Sequence, residues 1–599
     1  MVFKNFNQVL LDNFPRHEKD PALMFKSAGR YKTISYGKLR DVCFRVASAL
    51  MKRGLKRGDR IAIFSQNRME WAEADAGALL AGAITSAIYS SSLPGEAAFI
   101  IRDLEASFLF VEDRIQLEKI LAIRESIPNV KGVFVFSEPF STNDPWVSPL
   151  SVLLKDEPSP DAISRIHELA EQINRDDPMC IIYTSGTTGN PKGVVLTHNN
   201  YLATLDILIE HVGDISGLKR NISFLPLAHA MERFGGYYLM LYTGGCIAYA
   251  ETLETIVENF REVKPHFFIG VPRIFEKVHA KIMQSVRSAS SIRKAIFSWA
   301  LNVGKKAGQR KMHGQRLPWH LKPRHRLAHA LLFKKVKGIF GGELVFCVSG
   351  GAPLNKEVAE FFGAMDILIL EGWGATEATT PSTLNAPHDY RFGSVGKPLP
   401  RVEVRLAEDG ELEVRGPNIF KEYWRNPKET EATITADGFY RSGDVGEIDK
   451  EGRVTITDRK KELIITSGGK NIASAPIINL LTSGKYIEMA YVHGDRRNYL
   501  TALLTLDQNA VRAMAEHKGV KFSSWKELVK HSLVVERIKR DVERANAELP
   551  RYMQIKYYHI LEAPFSTEGG EMTPTMKLKK RVIEKKYKDI FDNMYKDEV

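Results

Sequence analysis

Cysteine is scarce. The chain has four in 599 residues, Cys43, Cys180, Cys246 and Cys347, far apart and with no Cys-x-x-Cys pair. That spacing excludes a disulfide scaffold and a zinc cluster, and it suits a reducing compartment. No run of about 18 apolar residues occurs, and the longest apolar stretch, residues 76–88, is too short for a membrane-spanning helix. Residues 1–20 mix charged and apolar types and lack the pattern of a signal peptide, so a cytoplasmic location is expected. There is no internal repeat and no low-complexity segment. Hydrophobic residues at 44% and charged residues at 26% exclude disordered, collagenous and coiled-coil classes. The length allows about four domains, or fewer and larger ones. Acidic residues are absent from residues 281–340, which carry fifteen Lys or Arg. The whole chain is at +12, so without that segment it would stand at −3.

Apolar periodicity in the first 180 residues alternates between strand and helix. Residues 60–64, 108–111 and 133–136 read as buried strands, and residues 71–83 read as a helix. This βα alternation implies a layered α/β architecture with parallel strands. Pro, Ser and Asp cluster over residues 143–161, which predicts an exposed loop. Residues 402–415 alternate about Asp409-Gly410 and residues 444–457 about Glu451-Gly452, two hairpin signals pointing to a β subdomain. After Asp458 the pattern restarts as a smaller α+β unit. The expected organisation is a large α/β domain over residues 1–457 with a β subdomain, a hinge at 458–462, and a small mobile α+β domain over 463–599.

The most informative segment is residues 183–193, YTSGTTGNPKG. Two glycines let the backbone turn tightly and bring N–H groups to an anion, four hydroxyls add donors, and Lys192 adds a cation. This is the composition of a polyphosphate cradle on a strand-to-loop turn. It is not a Walker A loop, because Lys192 follows Pro191 and precedes Gly193.

The string YTSGTTGNPKGVVLTH resembles the signature of the adenylate-forming superfamily of acyl-CoA synthetases, peptide-synthetase adenylation domains and luciferases. The resemblance extends in order through FLPLAHAMERFGG (224–236), SGGAPL (349–354), EGWGATE (371–377), GFYRSGD (438–444), DRKKELIITSGGKNIASA (458–475) and TPTMKLKKR (573–581). GVPRIFEKV (270–278) and TPTMKLKK look most like the long-chain fatty acid branch. The resemblance implies ATP-dependent conversion of a fatty acid to acyl-AMP with release of pyrophosphate, then transfer to coenzyme A. A carboxylate approaching a triphosphate needs cations and hydrogen-bond donors around it to offset the repulsion.

The roles it implies are as follows. Thr184 and Glu377 match magnesium-associated residues, and oxygen donors suit Mg²⁺. Thr184, Ser185, Gly186, Thr187, Thr188, Gly189 and Lys192 would hold the phosphates. Gly350, Gly351 and Ala352 would form a backbone wall to the nucleotide. Trp373 stands where an aromatic residue, usually Tyr, stacks on adenine, followed by Gly374 and Thr376. Asp444 would accept from the ribose hydroxyls, and Arg459 would approach the ribose and α-phosphate. Lys577 aligns with the mobile lysine that reaches the reacting carboxylate, with Met576 where Gly is common. Lys461 aligns with the hinge, and Gly468-Gly469 with the passage for the CoA pantetheine arm. Ser474 and Ile478 replace the Pro and Glu usual in long-chain members. His198 and His229 fit either a structural role or the acyl entrance.

Residues 281–340 combine their cations with Trp299, Leu317, Trp319, Leu327, Leu331, Leu332 and Phe333. A basic helical surface with apolar residues reads as peripheral contact with the inner face of a membrane. CoA phosphates are a second candidate partner, and no recognition motif supports nucleic acid. Composition gives no oligomeric state. Two other functions stay open at this point. One is an adenylate-forming ligase for another acid or acceptor, such as an aryl acid or acyl carrier protein. The other is a catalytically silent, membrane-associated acyl-nucleotide-binding protein.

Overall fold

The computed structural model describes residues 3–138, 140, 142–184, 190–312, 314–460, 463–467, 470–566, 569–572 and 578–596. The chain separates into two compact units. The first comprises Met1–Arg405, Glu413–Ser442 and Ile448–Thr455, and the second comprises Leu406–Leu412, Gly443–Glu447 and Ile456–Val599.

The first unit is built on an eight-stranded mixed sheet. Its order is Glu422–Tyr423, Lys192–Thr197, Pro178–Thr184, Ile84–Ile88, Arg60–Phe64, Ala106–Val111, Gly132–Val135 and Val147–Pro149. From Pro178–Thr184 onward the neighbours run parallel, as the βα alternation predicts. Residues 61–64 and 106–111 are buried without alternation, so these strands are covered on both faces and read as continuous apolar runs. The helix expected at residues 71–83 spans Met69–Leu80 and is buried from Trp71 to Leu80.

Residues 143–161 differ from expectation. Val147–Pro149 forms the edge strand, pairing Val147 with Val133, and a 3₁₀ turn, Leu150–Leu154, follows it. Val147, Leu150 and Leu153 are buried, so three spaced apolar side chains outweigh the Pro/Ser/Asp composition around them.

A four-stranded sheet orders Arg220–Ser223, Cys246–Tyr249, Pro21–Ser27 and Arg30–Ser35. A five-stranded sheet orders Ile269–Gly270, Phe346–Ser349, Leu368–Trp373, Thr383–Leu384 and Lys397–Pro398. Between Ile269–Gly270 and Phe346–Ser349 the chain forms the basic helices, whose inner residues Phe297, Ala300, Phe333 and Val336 share one core with Phe260, Phe268, Phe275 and Phe362. Both hairpins expected at Asp409-Gly410 and Glu451-Gly452 form, as the strands Glu403–Leu406, Glu411–Arg415, Tyr440–Ile448 and Val454–Arg459.

The second unit has a three-stranded sheet in the order Ile487–His493, Leu500–Leu506 and Ile555–Ile560. Helices Ser474–Thr482, Gln508–His517 and Ser532–Ala547 pack on it through Ile477, Leu481, Val511, Ile538 and Val542. The observed layers are those anticipated, a large α/β body and a smaller α+β one.

Candidate active site

Pro178–Thr184 and Lys192–Thr197 form an antiparallel hairpin with Thr184 opposite Lys192 and Tyr183 opposite Gly193. The phosphate-type sequence is thus the tip of a hairpin set into the sheet. Its central residues, Ser185, Gly186, Thr187, Thr188 and Gly189, lie outside the described residues. The base of the hairpin is locked by Asp103, whose carboxylate accepts from the Tyr183 hydroxyl at 2.6 Å and whose carbonyl accepts from Trp424 Nε1 at 2.9 Å. Beyond the hairpin the Thr197 hydroxyl caps the helix His198–Val212 by accepting from the Asn200 N–H.

Glu422–Tyr423 adds to the other side of Lys192–Thr197, with Tyr423 paired to Val194. That register places three charged or polar groups around one ring. The Lys192 ammonium pairs with the Glu429 carboxylate and lies 5.4 Å from the centre of the Tyr423 ring. The Tyr423 hydroxyl donates to Glu377 Oε1 at 2.8 Å, and the Glu377 carbonyl accepts from Phe420 N–H at 2.7 Å. Burial, helped by the Glu377 charge, pushes the Tyr423 phenol far above its ordinary range, so it stays a donor. A cleft of about 340 Å³ opens here, lined by Asn190, Pro191, Lys192, Tyr423 and Arg425 among others. Sequence reasoning found Lys192 and Glu377 but missed Tyr423 and Glu429. The only signal was Tyr423-Trp424 interrupting a charged stretch, which carries no chemistry until the strand pairs.

No group of three His, Cys, Asp or Glu able to hold a metal gathers among the described residues. A resident, caged metal is therefore not built into these residues. Thr184 and Glu377 each carry the hard oxygen donor type that a hydrated Mg²⁺ prefers.

The nucleotide-wall candidates leave the carboxyl ends of two adjacent parallel strands, Phe346–Ser349 and Leu368–Trp373, where Ser349 pairs with Glu371. Ligands of open α/β sheets bind at that end of the strands. Gly351 holds φ +81°, a left-handed conformation that a side chain would strain. A Cβ at Gly350 would stand 2.7 Å from Met231 Sδ, so glycine here lets residues 349–352 close on the segment 224–236. Trp373 is nearly buried, and Gly374, Thr376 and Glu377 follow on a short turn. The Glu371 carboxyl, pushed up to about 7 by burial, accepts from the Gly393 N–H at 3.1 Å and steadies this edge.

Within the second unit, Arg459 Nε lies 3.0 Å from Asp444 Oδ1, so the two ribose candidates meet. Lys460 is held by Asp409 at 2.5 Å and Glu411 at 2.7 Å. Lys461, Gly468, Gly469 and Lys577 lie outside the described residues.

The segment 224–236 contributes Arg233 to a buried ionic cluster. Asp75 Oδ1 accepts from Arg233 Nη2 at 2.6 Å and Asp75 Oδ2 from the Tyr238 hydroxyl at 2.8 Å, while Thr85 Oγ1 sits 2.5 Å from the same Nη2. The Trp71 ring faces the guanidinium with 5.3 Å between them. Neither Arg233 nor Asp75 has any exposed side-chain surface. Burial pushes the neighbouring Glu232 up to about 8. His198 is structural. It is buried, its Nδ1 accepts from the Phe6 N–H at 3.1 Å, and burial pushes its pKa down to about 3. His229 Nδ1 accepts from the Met231 N–H at 3.2 Å, on the segment facing Gly350.

Comparisons with known proteins agree with this geometry. A long-chain-fatty-acid–CoA ligase of Homo sapiens, ACSBG2, is 32% identical over 96% of this chain and 90% of its own length. The long-chain-fatty-acid–CoA ligase FadD15 of Mycobacterium bovis is 32% identical over 92% of this chain and 90% of its own length. Among solved structures, the anthranilate CoA ligase AuaEII in complex with anthranoyl-AMP superposes with a TM-score of 0.75 at 18% identity, covering 99% of this chain and 98% of that one. The model of the AMP-binding enzymes matches residues 11–424 and that of the AMP-binding enzyme C-terminal domain matches residues 461–599. The hairpin, the glycine wall and this match together establish that the chain belongs to the AMP-binding enzymes, the adenylate-forming superfamily.

Proposed function

We propose that the protein is a long-chain fatty acid–CoA ligase, which converts fatty acid, ATP and CoA to acyl-CoA, AMP and pyrophosphate. The observation that carries this reading is the array of Lys192, Tyr423 and Glu377 beside the hydroxyl-rich hairpin tip. It supplies a cation, a fixed donor and a carboxylate where a triphosphate would lie. The names of the full-length relatives support the choice of acid.

In the first half-reaction a carboxylate oxygen of the fatty acid attacks the α-phosphorus and pyrophosphate leaves. Lys192 exchanges Glu429 for the terminal phosphates, which keeps its charge neutralised both before and after binding. The hydroxyls and N–H groups of residues 184–189 hold the same phosphates. Bound Mg²⁺, held by Thr184 and Glu377, would neutralise phosphate charge. Tyr423 fixes the Glu377 carboxylate so that one oxygen stays free for this task. Gly350, Gly351 and Ala352 wall the adenine, Trp373 stacks on it, and Gly374 and Thr376 continue that edge. Asp444 accepts from the ribose diol and Arg459 steadies it. Lys577 brings a mobile cation to the carboxylate and α-phosphate.

In the second half-reaction a thiolate attacks the acyl carbonyl and AMP leaves. The small domain, residues 463–599, turns about Lys461 within the 458–462 hinge. Lys577 then withdraws, and Gly468-Gly469 admits the pantetheine arm. The protein works at the cytoplasmic face of a membrane, touching it through residues 281–340.

The test is pyrophosphate–ATP exchange and acyl-CoA formation with palmitate, measured beside aryl and amino acids. Palmitate should drive both. Lys577→Ala should abolish exchange yet largely spare thioester formation from supplied acyl-AMP. Exchange with an aryl acid and none with palmitate would refute the choice of substrate, and no exchange with any acid would refute adenylation itself.

A further inference from the structure

Near the end of the second unit the backbone ties one short loop at its base. Met572 and Leu578 pair as an antiparallel bridge, and the Lys579 N–H donates to the Glu571 carbonyl at 2.7 Å. Residues 573–577, between them, lie outside the described residues, but covalent geometry puts the Lys577 Cα about 3.8 Å from that of Leu578. Met572, Leu578 and Ile583 join Tyr491 and Phe565 in one apolar core. The helix Lys580–Lys586 follows at once, and the Tyr491 hydroxyl donates to its Glu584 Oε1 at 2.9 Å. Glu571 links loop and helix. It is 2% exposed, and its Oε1 accepts from Lys586 Nζ at 2.5 Å and from the Tyr587 hydroxyl at 2.9 Å. The two residues before it allow this. Gly570 turns the chain at φ +83°, and a Cβ at Gly569 would collide with Glu571 Oε2. Burial alone would raise the pKa of this carboxyl, but the bonds from Lys586 and Tyr587 hold it below its ordinary range, so it is ionised.

Resting on the reading that Lys577 serves the first half-reaction, we propose that Glu571 is a positioning residue for that lysine. Its carbonyl holds the chain just after Leu578, and its carboxylate holds the far end of the helix that follows. The point from which Lys577 starts is thereby fixed against the apolar core of the second unit. A lysine is a point charge on a flexible four-carbon stem, so its ammonium meets a carboxylate and an α-phosphate together only from a fixed base. Stability alone is a poor account of this carboxylate, because a buried ion pair often contributes no more to folding than an apolar residue of similar volume. An apolar residue could fill the space, but it could not tie the helix end to the base of the loop. The second half-reaction, from which Lys577 has withdrawn, makes no use of the clamp.

The experiment measures both half-reactions on the full chain: pyrophosphate–ATP exchange with palmitate, and thioester formation from supplied palmitoyl-AMP. Glu571→Ala should lower the kcat of exchange about 10- to 100-fold, the cost of displacing a reacting group by about 1 Å. The KM for ATP and the rate of thioester formation should stay within about twofold of the parent's. Lys586→Met should give the same split between the half-reactions, to a smaller extent. The double variant Glu571→Ala/Lys586→Met should fall no further than Glu571→Ala, because both substitutions open one clamp. Lys577→Ala is measured beside them. If Lys577→Ala loses exchange and Glu571→Ala keeps it, the proposal is overturned while the role of the lysine stands. Equal losses in the two half-reactions would make Glu571 a structural residue and overturn the proposal, as would fully additive losses in the double variant. Parent-like exchange in Lys577→Ala would overturn the reading of the lysine and the proposal with it.

Discussion

Two ion pairs in the first unit show opposite uses of charge. Arg233 and Asp75 are sealed from solvent, and the acid's two oxygens are divided between the guanidinium and Tyr238. Lys192 and Glu429 keep 22% and 39% of their side-chain surface exposed, at the rim of a cleft. A buried pair repays desolvation only as a complete set, so losing either partner is costly. A half-open pair contributes little to folding, and its partner can be exchanged for a ligand's phosphate at small cost. The sealed pair is placed to serve stability, and the open pair is the one we propose serves chemistry.

The largest effect should come from Asp75→Ala. It strands the Arg233 cation among Trp71, Tyr238 and Thr85, and we expect a loss of about 3–5 kcal/mol in denaturant unfolding. The double variant Asp75→Leu/Arg233→Met removes both charges and should recover most of that loss. If the double variant were as unstable as the single one, packing and not charge would be the cause.

Beside the open pair, at the Glu377 carboxylate that Tyr423 holds, the expectation reverses. Glu377→Gln should lower pyrophosphate–ATP exchange about 100- to 1,000-fold, a deficit of roughly 3–4 kcal/mol in the transition state. Unfolding should change by less than about 0.5 kcal/mol, because Glu377 is half-exposed. The measurements are exchange rate and melting temperature on the same preparation. A large drop in melting temperature would place Glu377 with the sealed class and break the distinction.

How much of this could be read from sequence follows the same division. The phosphate-type segment could be singled out because Gly, Thr, Ser and Lys192 lie within eleven consecutive residues and their chemistry is local. The parallel strands were legible from apolar period and length. Tyr423 and Glu429 were not, because they reach Lys192 only through strand pairing across more than two hundred residues. Asp75 and Arg233, 158 residues apart, gave no signal either, since each looks like an ordinary charge until the helices pack. The edge strand Val147–Pro149 was hidden by polar neighbours that face solvent while Val147 faces the core. Local chemistry survives in sequence, and contacts made by folding do not.

The smallest predicted effect lies at the far end of the strand that Lys192 begins. His198 follows Thr197 into the interior, and burial holds its pKa down to about 3 while its Nδ1 accepts from Phe6. Below about pH 6.5 the unfolded chain takes up a proton there and the native chain does not. The unfolded state then binds more protons, so stability falls as pH drops from about 6.5 toward 3, by about 2 kcal/mol at pH 5. Glu232 and Glu73, both pushed up to about 8 by burial, act with the opposite sign. They stay protonated in the native chain while the unfolded chain ionises, so between about pH 4.5 and 8 they favour folding more as pH drops. The pH slope of the parent protein is a difference between these contributions and does not isolate His198. His198→Gln keeps an acceptor for the Phe6 N–H and cannot be protonated, so it isolates the term. Urea unfolding at pH 7 and pH 5 should show the variant gaining about 2 kcal/mol relative to the parent on acidification. Parallel pH profiles for the two proteins would mean that the ring is not sealed, and that the line between closed and open charge does not run where Thr197 meets His198.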